Sequence, residues 1–296
     1  MTDKQILGFI GLGVMGEPMC RNLATKTGQT VWAFDTSAEV LHKNADLLKP
    51  AASAAQVMQM ADIVLLSLPS GEIVAKLCEQ KDGLLEHCRP GQILIDLSTS
   101  AVHVTRDLHD KFAAKGVTFI DAPVARTRAA AVAGTLAIMV GAEPAMFKKV
   151  KPYLDTFASE VSLCGPVGCG QVVKIMNNMI LFETVVAISE ARAIARKAGV
   201  DPKHLFDVLA LGSADSFALR NHGMKAIIPQ DFPERAFSVD YAAKDLRYAL
   251  ELAEQTEVDA RGAKVVKQWF DQAKDKGLGE HYHPVISQLI DPDQGV

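Results

Sequence analysis

The stretch Ile6-Leu-Gly-Phe-Ile-Gly-Leu-Gly-Val-Met-Gly16 begins with an apolar run and continues directly into the pattern G-x-G-x-x-G. A helix-compatible segment follows, and after it comes a second apolar run, Thr30-Val-Trp-Ala-Phe-Asp35. Strand, glycine-rich turn, helix, strand and acidic residue follow one another in the order typical of a dinucleotide-binding unit. The pattern therefore predicts a nucleotide-binding α/β unit in this part of the chain.

The three glycines of this turn have different predicted tasks. Gly11 makes the tight turn, Gly13 lets the backbone approach a pyrophosphate, and Gly16 lets the helix pack on the sheet. Asp35 lies 19 residues after Gly16, where a carboxylate accepts hydrogen bonds from the adenosine ribose and repels the 2′-phosphate of NADP. The sequence therefore favours NAD over NADP, although Asp35 also fits the role of a simple turn residue.

Further apolar runs alternate with helical segments through the first half of the chain, as expected for a doubly wound, mostly parallel sheet covered on both faces. Ligands of such sheets bind at the carboxyl ends of the strands. Three loops follow such ends, namely Leu68-Pro69, Ser98-Thr99-Ser100 and Ala125-Arg126-Thr127. We expect them to converge on one cofactor and substrate site. The alternative for the hydroxyls of the second loop is that they only cap the next helix.

Two arginines stand directly after one of these strands, in Asp121-Ala-Pro-Val-Ala-Arg-Thr-Arg128. A guanidinium group offers a planar fork of donors that fits a carboxylate, sulfonate or phosphonate. Arg126 is the better candidate because it lies nearer to the strand end. The alternative for both arginines is a solvated surface position.

The longest helix-compatible segment begins in Gly168-Cys-Gly-Gln-Val-Val-Lys-Ile-Met-Asn-Asn178 and continues to Gly199. Most of its residues are apolar, so several of its faces must be buried. Lys174 and Asn178 are four residues apart and share a helix face, with Asn177 beside them. A lysine in an apolar wall needs a partner or a lowered pKa, which suits an acid/base near neutral pH. The alternative is a snorkelling lysine at a helix start.

The second half of the chain is predicted to be all-helical and to be entered through this long helix, which gives domains over residues 1–165 and 166–296. Asp201-Pro202 begins one helix, and Pro229 to Pro233 breaks the pattern before two amphipathic helices. Taken alone, Lys244-Asp245 would be an exposed ion pair. His281-Tyr-His283 shows no third metal ligand, so we interpret it as tail packing or solvated surface, and no metal site is predicted.

The composition excludes several classes of protein. A net charge of -4 provides no basic field for nucleic acid and no polybasic membrane patch. The polar residues of the long helix argue against a membrane span. Met1-Thr-Asp-Lys4 carries no features of a signal peptide, and the five cysteines form no C-x-x-C pair. These features favour a cytoplasmic protein with free thiols.

Six ordered motifs, which extend over essentially the whole length, show that the chain resembles the β-hydroxyacid dehydrogenase family. They are Gly11-Leu-Gly-Val-Met-Gly-Glu-Pro-Met19, Asp96-Leu-Ser-Thr99, Asp121-Ala-Pro-Val124, Ala133-Gly-Thr-Leu136, Gly168-x-Gly-x-x-x-Lys174-x-x-Asn-Asn178 and Lys244-Asp-Leu246. The resemblance implies a Rossmann-type domain, a helical domain and oligomerisation through the helical part as a homo-dimer or homo-tetramer.

The same resemblance implies roles for individual residues. Lys174 is the expected acid/base, with Asn178 beside it. The cofactor is expected to touch the glycine-rich loop including Leu12, Val14 and Met15, the second-strand acid, the loops at Leu68-Pro69 and Thr99, and Lys244 from the second domain. Ser98, Thr99 and Asn177 are expected near a small anionic substrate.

The anion loop departs from the family pattern. Most members carry Ser-Gly-Gly after Asp-Ala-Pro-Val, whereas this chain has Ala125-Arg126-Thr127. That form resembles the sulfolactaldehyde reductase branch, in which an arginine grips a sulfonate. Three alternatives stay open: a carboxylate-selective 3-hydroxyacid dehydrogenase, a phosphonate-selective reductase and a non-catalytic dinucleotide-binding module. A decarboxylating sugar-phosphate dehydrogenase would have a much longer helical half.

Overall fold

A computed structural model describes residues 5–234 and 236–293. The chain divides into two compact units, Met1–Lys174 and Ile175–Val296. The boundary between them falls inside the long predicted helix. Met1 to Lys4, on which the expectation about a signal peptide rests, lie outside the described residues.

The first unit contains a nine-stranded sheet with the order β3-β2-β1-β4-β5-β6-β8-β7, in which β9 also pairs with β8. The pairings from β3 across to β6 and the pairing of β8 with β9 are parallel, whereas β6 and β7 pair with β8 in the antiparallel direction. The mostly parallel, doubly wound sheet is therefore confirmed. The strands are β1 Leu7–Ile10, β2 Val31–Phe34, β3 Leu48–Pro50, β4 Ile63–Leu66, β5 Ile93–Asp96, β6 Thr118–Asp121, β7 Val124–Ala125, β8 Leu136–Gly141 and β9 Ala158–Gly165.

Helices cover both faces of this sheet. Because side chains alternate along a strand, Leu7 and Phe9 of β1 enter one apolar core and Ile10 enters another. This arrangement explains why the central strands read as continuous apolar runs. The helices of this unit are α1 Gly16–Thr27, α2 Ala38–Lys43, α3 Ala54–Met60, α4 Gly71–Glu79, α5 Leu84–His87, α6 Val102–Ala113, α7 Arg128–Ala133 and α8 Pro144–Leu154.

Three strands were not predicted from the sequence. The strands β3 and β7 have only three and two residues, too few for a periodic pattern. The strand β9 has eight residues, but most of its side chains are exposed or only half-buried, so it lacks a continuous apolar run. Each of these strands lies at or near an edge of the sheet, where the apolar signal is weakest.

The second unit is built almost entirely of helices, as predicted. Asp201 accepts the first-turn hydrogen bond of its helix through its side chain, which confirms the predicted start at Pro202. Two isolated bridges, Glu234 with His281 and Ser238 with Tyr282, are the extended pairings among its described residues. Its elements are most of α9 Cys169–Lys197, then α10 Pro202–Leu209, a π-helix Leu219–Ile227, α11 Val239–Gln255, α12 Arg261–Asp275, a 3₁₀ turn His283–Ile286 and α13 Ser287–Ile290.

The helix α9 has 29 residues, which corresponds to roughly 43 Å at 1.5 Å per residue. It is long and apolar enough to cross a membrane by length and composition alone. Its side chains Phe182, Val185 and Ile188 instead belong to the apolar core of the second unit. The core helices of globular proteins have this character.

Two histidines of the second unit, His222 and His283, are buried. His283 is fully buried between Phe182, Phe237 and Phe270. The interpretation of the His281-Tyr-His283 motif as solvated surface is therefore wrong for this residue. His222 is buried in the π-helix, and its Nδ1 pairs with the hydroxyl of Tyr282.

Candidate active site

The glycine-rich turn has the shape that a bound pyrophosphate requires. A Cβ at Gly11 would overlap the Ser67 carbonyl oxygen, and a Cβ at Gly16 would overlap that of Gly11. By contrast, a Cβ at the exposed Gly13 would meet no described atom within 4 Å. The outer glycines are thus required by the fold, and the space beside the middle glycine is open to a ligand. The first turn of α1 also has no side-chain cap among the described residues, so its N–H groups suit an anion.

Asp35 ties the second strand to this turn. Its Oδ2 accepts a hydrogen bond from Leu12 N at 2.7 Å, and its Oδ1 accepts one from Ser37 N at 2.8 Å. A carboxylate has about four acceptor positions, so two hydrogen bonds leave it able to accept from ribose hydroxyls. The turn role and the ribose role that the sequence suggested are therefore compatible in one side chain.

The loops after β4 and β5 are joined by Ser98. Its hydroxyl oxygen accepts from Leu68 N at 2.9 Å, next to the exposed Pro69. The hydroxyl of Ser100 donates to Asp96 Oδ2 at 3.1 Å. No side chain of the described residues caps the start of α6, so the alternative interpretation of these serines as helix caps is wrong. Thr99 lies between them and is half-buried.

Two buried aspartates underlie these loops. Asp96 and Asp121 are register partners at the ends of β5 and β6. Burial raises the pKa of each carboxyl to about 6, against hydrogen bonds that lower it. Asp121 accepts from Gly168 N at 2.7 Å and from Gln171 N at 2.8 Å. It therefore holds the entrance and first turn of α9 at the carboxyl edge of the sheet.

Lys174 lies one turn further along α9 and is buried, with only 9% of its surface exposed. Gly170 allows α9 to approach the sheet closely, because a Cβ there would overlap the Met139 carbonyl oxygen. Lys174 thus follows the turn of α9 that Asp121 holds at the carboxyl edge of the sheet, and the residue is largely shielded from bulk water.

Asn178 belongs to a polar cluster in the second unit. Its amide Nδ2 donates to Asp245 Oδ2 at 2.7 Å, and its Oδ1 accepts from the exposed Asn177 at 3.0 Å. Lys244 Nζ lies 3.2 Å from Asp245 Oδ1, with the two side chains 17% and 4% exposed. The reading of Lys244 and Asp245 as an exposed ion pair is therefore wrong.

Asp245 was not among the predicted site residues. The available signal was its position on the apolar stripe of α11, three residues after the buried Ala242 and six after the buried Val239. A carboxylate on the buried face of an amphipathic helix needs polar partners, and here they are Asn178 and Lys244.

Arg126 is not placed with these groups. Its exposed guanidinium donates through Nη1 to Thr135 O at 2.5 Å and to Ser159 Oγ at 2.9 Å, beside the first residues of β8 and β9. Asp121 pairs with Gly141 at the last residue of β8. At about 3.3 Å per residue, the two ends of the six-residue strand β8 are roughly 17 Å apart.

The neighbours of Arg126 have structural tasks. Ala125 pairs with Ala137 in the sheet, and the hydroxyl of Thr127 caps α7 by accepting from Ala130 N. Arg126 itself has a φ of +85°, in the left-handed region that favours glycine. This conformation explains why a glycine suits this position in the family pattern.

In the described part of the chain, one group of side chains has metal-ligand spacing, Asp82, Glu86 and His87. The two carboxylates are exposed, and none of the loops described above includes them.

Comparison with known proteins identifies both parts of the chain. Residues 6–165 match the family model described as the NAD binding domain of 6-phosphogluconate dehydrogenase. Residues 168–290 match the model described as NAD-binding of NADP-dependent 3-hydroxyisobutyrate dehydrogenase.

Similar proteins match over nearly their full lengths. The chain is 33% identical to 2-(hydroxymethyl)glutarate dehydrogenase of Eubacterium barkeri, over 99% of the chain and 98% of that protein. It is 32% identical to the NAD-dependent L-serine dehydrogenase of Pseudomonas aeruginosa, over 99% of both. Among solved structures, the 3-hydroxyisobutyrate dehydrogenase of Mycobacterium tuberculosis with L-serine aligns at a TM-score of 0.87 and 29% identity, over 97% of the chain and 99% of that protein. The chain is therefore an NAD(H)-dependent oxidoreductase of CH–OH groups and belongs to the β-hydroxyacid dehydrogenase family.

Proposed function

We propose that the enzyme interconverts a small anionic aldehyde or ketone and its hydroxy acid, with Lys174 as the acid/base. The observation that carries this proposal is the buried position of Lys174 on α9, one turn beyond the residues that Asp121 holds. Bound NAD(H) supplies the hydride chemistry. In reduction, the ammonium group of Lys174 donates a proton to the carbonyl oxygen, and in oxidation the neutral amine removes the hydroxyl proton.

The remaining residues bind and orient. Gly13 and the start of α1 hold the pyrophosphate, Asp35 holds the ribose and favours NAD over NADP, and Met15 and Pro69 lie against the nicotinamide. Ser98 and Thr99 line the substrate. These roles are supported by the open space at Gly13 and by the hydrogen bonds that fix the loops.

The second unit contributes Asn178 and Lys244. Asn178, four residues after Lys174 on the same helix, orients the substrate or the lysine. The hydrogen bond from Asn178 to Asp245 fixes which way its amide points. Lys244 contacts the cofactor, and Asp245 holds its ammonium group at 3.2 Å.

The proposed substrate carries a sulfonate, as in sulfolactaldehyde, and Arg126 binds that group. Two features support this role. An arginine at a φ of +85° costs about 1 kcal/mol relative to glycine, and a strained residue is often kept for its side chain. Among the described residues, both hydrogen bonds of its side chain use Nη1, which leaves Nε and Nη2 for an anion. The role also requires the segment after β7 to turn toward the end of β8.

A carboxylate-selective 3-hydroxyacid dehydrogenase is the second candidate. It is favoured by the hydrogen bonds that hold Arg126 at the far end of β8. It is also favoured by relatives named 3-hydroxyisobutyrate dehydrogenase and 2-hydroxy-3-oxopropionate reductase, which are 36% and 30% identical. In this reading, Ala125, Arg126 and Thr127 form a substituted cradle without a direct role in anion choice.

The deciding experiment follows NADH consumption with sulfolactaldehyde, tartronate semialdehyde and methylmalonate semialdehyde, with NADPH as the cofactor control. A preference in kcat/KM of about a hundredfold for the sulfonate, near 2.7 kcal/mol, would establish the first candidate. A preference for either carboxylate would establish the second. Activity with none of the three aldehydes would reject both candidates and leave the phosphonate-selective reductase.

The enzyme is further proposed to work in the cytoplasm as a homo-dimer or homo-tetramer. Part of α9 supports the assembly, because the apolar side chains of Val173, Ile180 and Ile194 are exposed in the single chain. Sedimentation of the purified protein tests this proposal, and a monomer at micromolar concentration would reject it.

A further inference from the structure

A single buried amide joins the loop after β5 to the first turn of α9. Gln171 is fully buried. Its Nε2 donates to Ser98 O at 2.8 Å, and its Oε1 accepts from Ser100 N at 3.0 Å. The two hydrogen bonds span both sides of Thr99. Because a side chain that both donates and accepts fits only one orientation of its partners, the loop and the helix are fixed against each other.

The backbone of Gln171 is anchored as firmly as its side chain. Its N–H donates to Asp121 Oδ2 at 2.8 Å, while Gly168 N donates to Oδ1 at 2.7 Å. A Cβ at Gly141 would overlap this carboxylate, so the carboxylate fills the space beside that glycine. A negative charge at a helix start is favourable. Gln171 is therefore tied to the ends of β5 and β6 together.

This double attachment determines where Lys174 lies. Lys174 follows Gln171 by three residues, so the two side chains lie on neighbouring parts of one helix face. A shift of about 1 Å at a reacting group can cost up to about a hundredfold in rate. Any relative movement of the loop and the first turn of α9 would therefore change the position of Lys174 relative to Thr99.

We propose that Gln171 is a positioning residue, which holds the Thr99 loop and Lys174 in a fixed relation. This inference rests on the proposed role of Lys174 as the acid/base. A purely structural role would predict only a loss of stability when the amide is removed, because buried polar groups without partners destabilise any fold.

The chain offers a matched control for that simpler role. Gln92 is also fully buried in the first unit, and its amide Nε2 donates to Met58 O and Ala61 O, both at 2.6 Å. Its Oε1 accepts from Arg89 N. Gln92 precedes β5, whereas Gln171 contacts the loop that follows it. Gln171→Met and Gln92→Met thus each remove one buried glutamine amide, and the two amides make their contacts near opposite ends of β5.

The test measures kcat, KM and the dissociation constant of NADH for both variants beside the wild type. Gln171→Met is expected to lower kcat about tenfold, while the dissociation constant of NADH stays within twofold of the wild-type value. Gln92→Met is expected to keep kcat within twofold of the wild type, although its melting temperature falls by a similar amount to that of Gln171→Met. Gln171→Asn, which is one methylene too short to span both partners, is the second variant if Gln171→Met does not fold, and the same loss of kcat is expected. Equal changes of kcat at both positions would overturn the proposal.

Hydrogen exchange provides a readout that does not depend on catalysis. In Gln171→Met, the amides of Ser100 and of Val172 to Ile175 are expected to exchange about tenfold faster, whereas Gln92→Met should leave them unchanged. Unchanged exchange in α9 would reject the coupling. If the wild type has no NAD-dependent turnover, or if Lys174→Ala keeps it, the proposed function fails while this exchange experiment still decides on Gln171.

Discussion

Asp96 and Asp121 lie side by side in the register of β5 and β6, and both carboxyl groups are buried. Burial raises the pKa of each from its ordinary value of 3.8 to about 6. The folded protein therefore binds these protons more tightly than the unfolded chain does. The contribution of this pair to the free energy of unfolding is largest below about pH 4, and it falls as the pH rises to about 6.

The variant Asp96→Asn tests this pH dependence. An amide can keep the acceptor for Ser98 N and the contact with Ser100, so the variant should gain stability relative to the wild type as the pH rises from 4 to 7. The expected gain is on the order of 2 kcal/mol, measured by urea unfolding at several pH values. Asp121→Asn should lose stability instead, because an amide nitrogen would face Gly168 N or Gln171 N. A constant difference across pH for Asp96→Asn would contradict the assignment.

The second unit should respond to acid in the opposite direction. Burial lowers the pKa of His222 from 6.5 to about 4 and that of His283 well below its ordinary value. The unfolded chain binds these protons first, so this contribution to stability is complete above pH 6.5 and is lost as the pH falls toward 4.

Replacement of His283 tests the acid response of the helical unit. Neither of its ring nitrogens has a hydrogen-bond partner in the described structure, and Phe182, Phe237 and Phe270 surround it. His283→Phe should therefore raise stability at pH 5 by about 1 kcal/mol or more and flatten the fall below pH 6.5. His283→Leu controls for the larger phenyl ring. Unfolding curves that still fall as steeply in both variants would assign the acid response elsewhere.

The fold follows from local signals in the sequence. Central strands such as β4 are buried on both faces, so four consecutive apolar residues suffice to indicate them. The strand β9 could not be found in this way, because its alternation is lost at the sheet edge and its pairing with β8 is set by contacts between distant segments. The π-helix around His222 likewise depends on packing.

The site divides in the same way. The glycine-rich turn could be predicted from the sequence because its three glycines lie within a few residues of one another in the chain. The partners of Asn178 and Gln171 are 67 and 71 residues away in the chain, Asp245 and Ser100 respectively. No local pattern identifies such pairs, and they become visible only when helix and loop are placed together.

Removal of the lysine amine tests the proposed chemistry. Lys174→Ala should lower kcat by a factor of roughly a hundred or more, because the proton donor is lost. The affinity for NADH, measured by fluorescence titration, should stay within about twofold. Lys244→Ala is the control, and it should weaken NADH binding more than it lowers kcat. Turnover that survives in Lys174→Ala would transfer the acid/base role to another group.

Asp35 is expected to select the cofactor. Asp35→Asn keeps an acceptor for Leu12 N, gives up the one for Ser37 N, and removes the negative charge that repels a 2′-phosphate. The ratio of kcat/KM for NADPH to that for NADH should rise about tenfold, near 1.4 kcal/mol. Melting temperature is the control for damage to the turn. An unchanged ratio would leave Asp35 with its structural hydrogen bonds alone.

The strained backbone of Arg126 allows its charge and its conformation to be tested separately. Arg126→Ala and Arg126→Gly both remove the guanidinium, so both should raise KM for the anionic substrate about tenfold or more if it binds the anion. Glycine adopts a φ of +85° freely, so the glycine variant should be more stable than the alanine variant by about 1 kcal/mol. Arg128→Ala, at the exposed first residue of α7, is the control and should change neither quantity. If KM is unchanged in both Arg126 variants while their stabilities differ, Arg126 has only a structural role beside the start of β8. That result would favour the carboxylate-selective candidate.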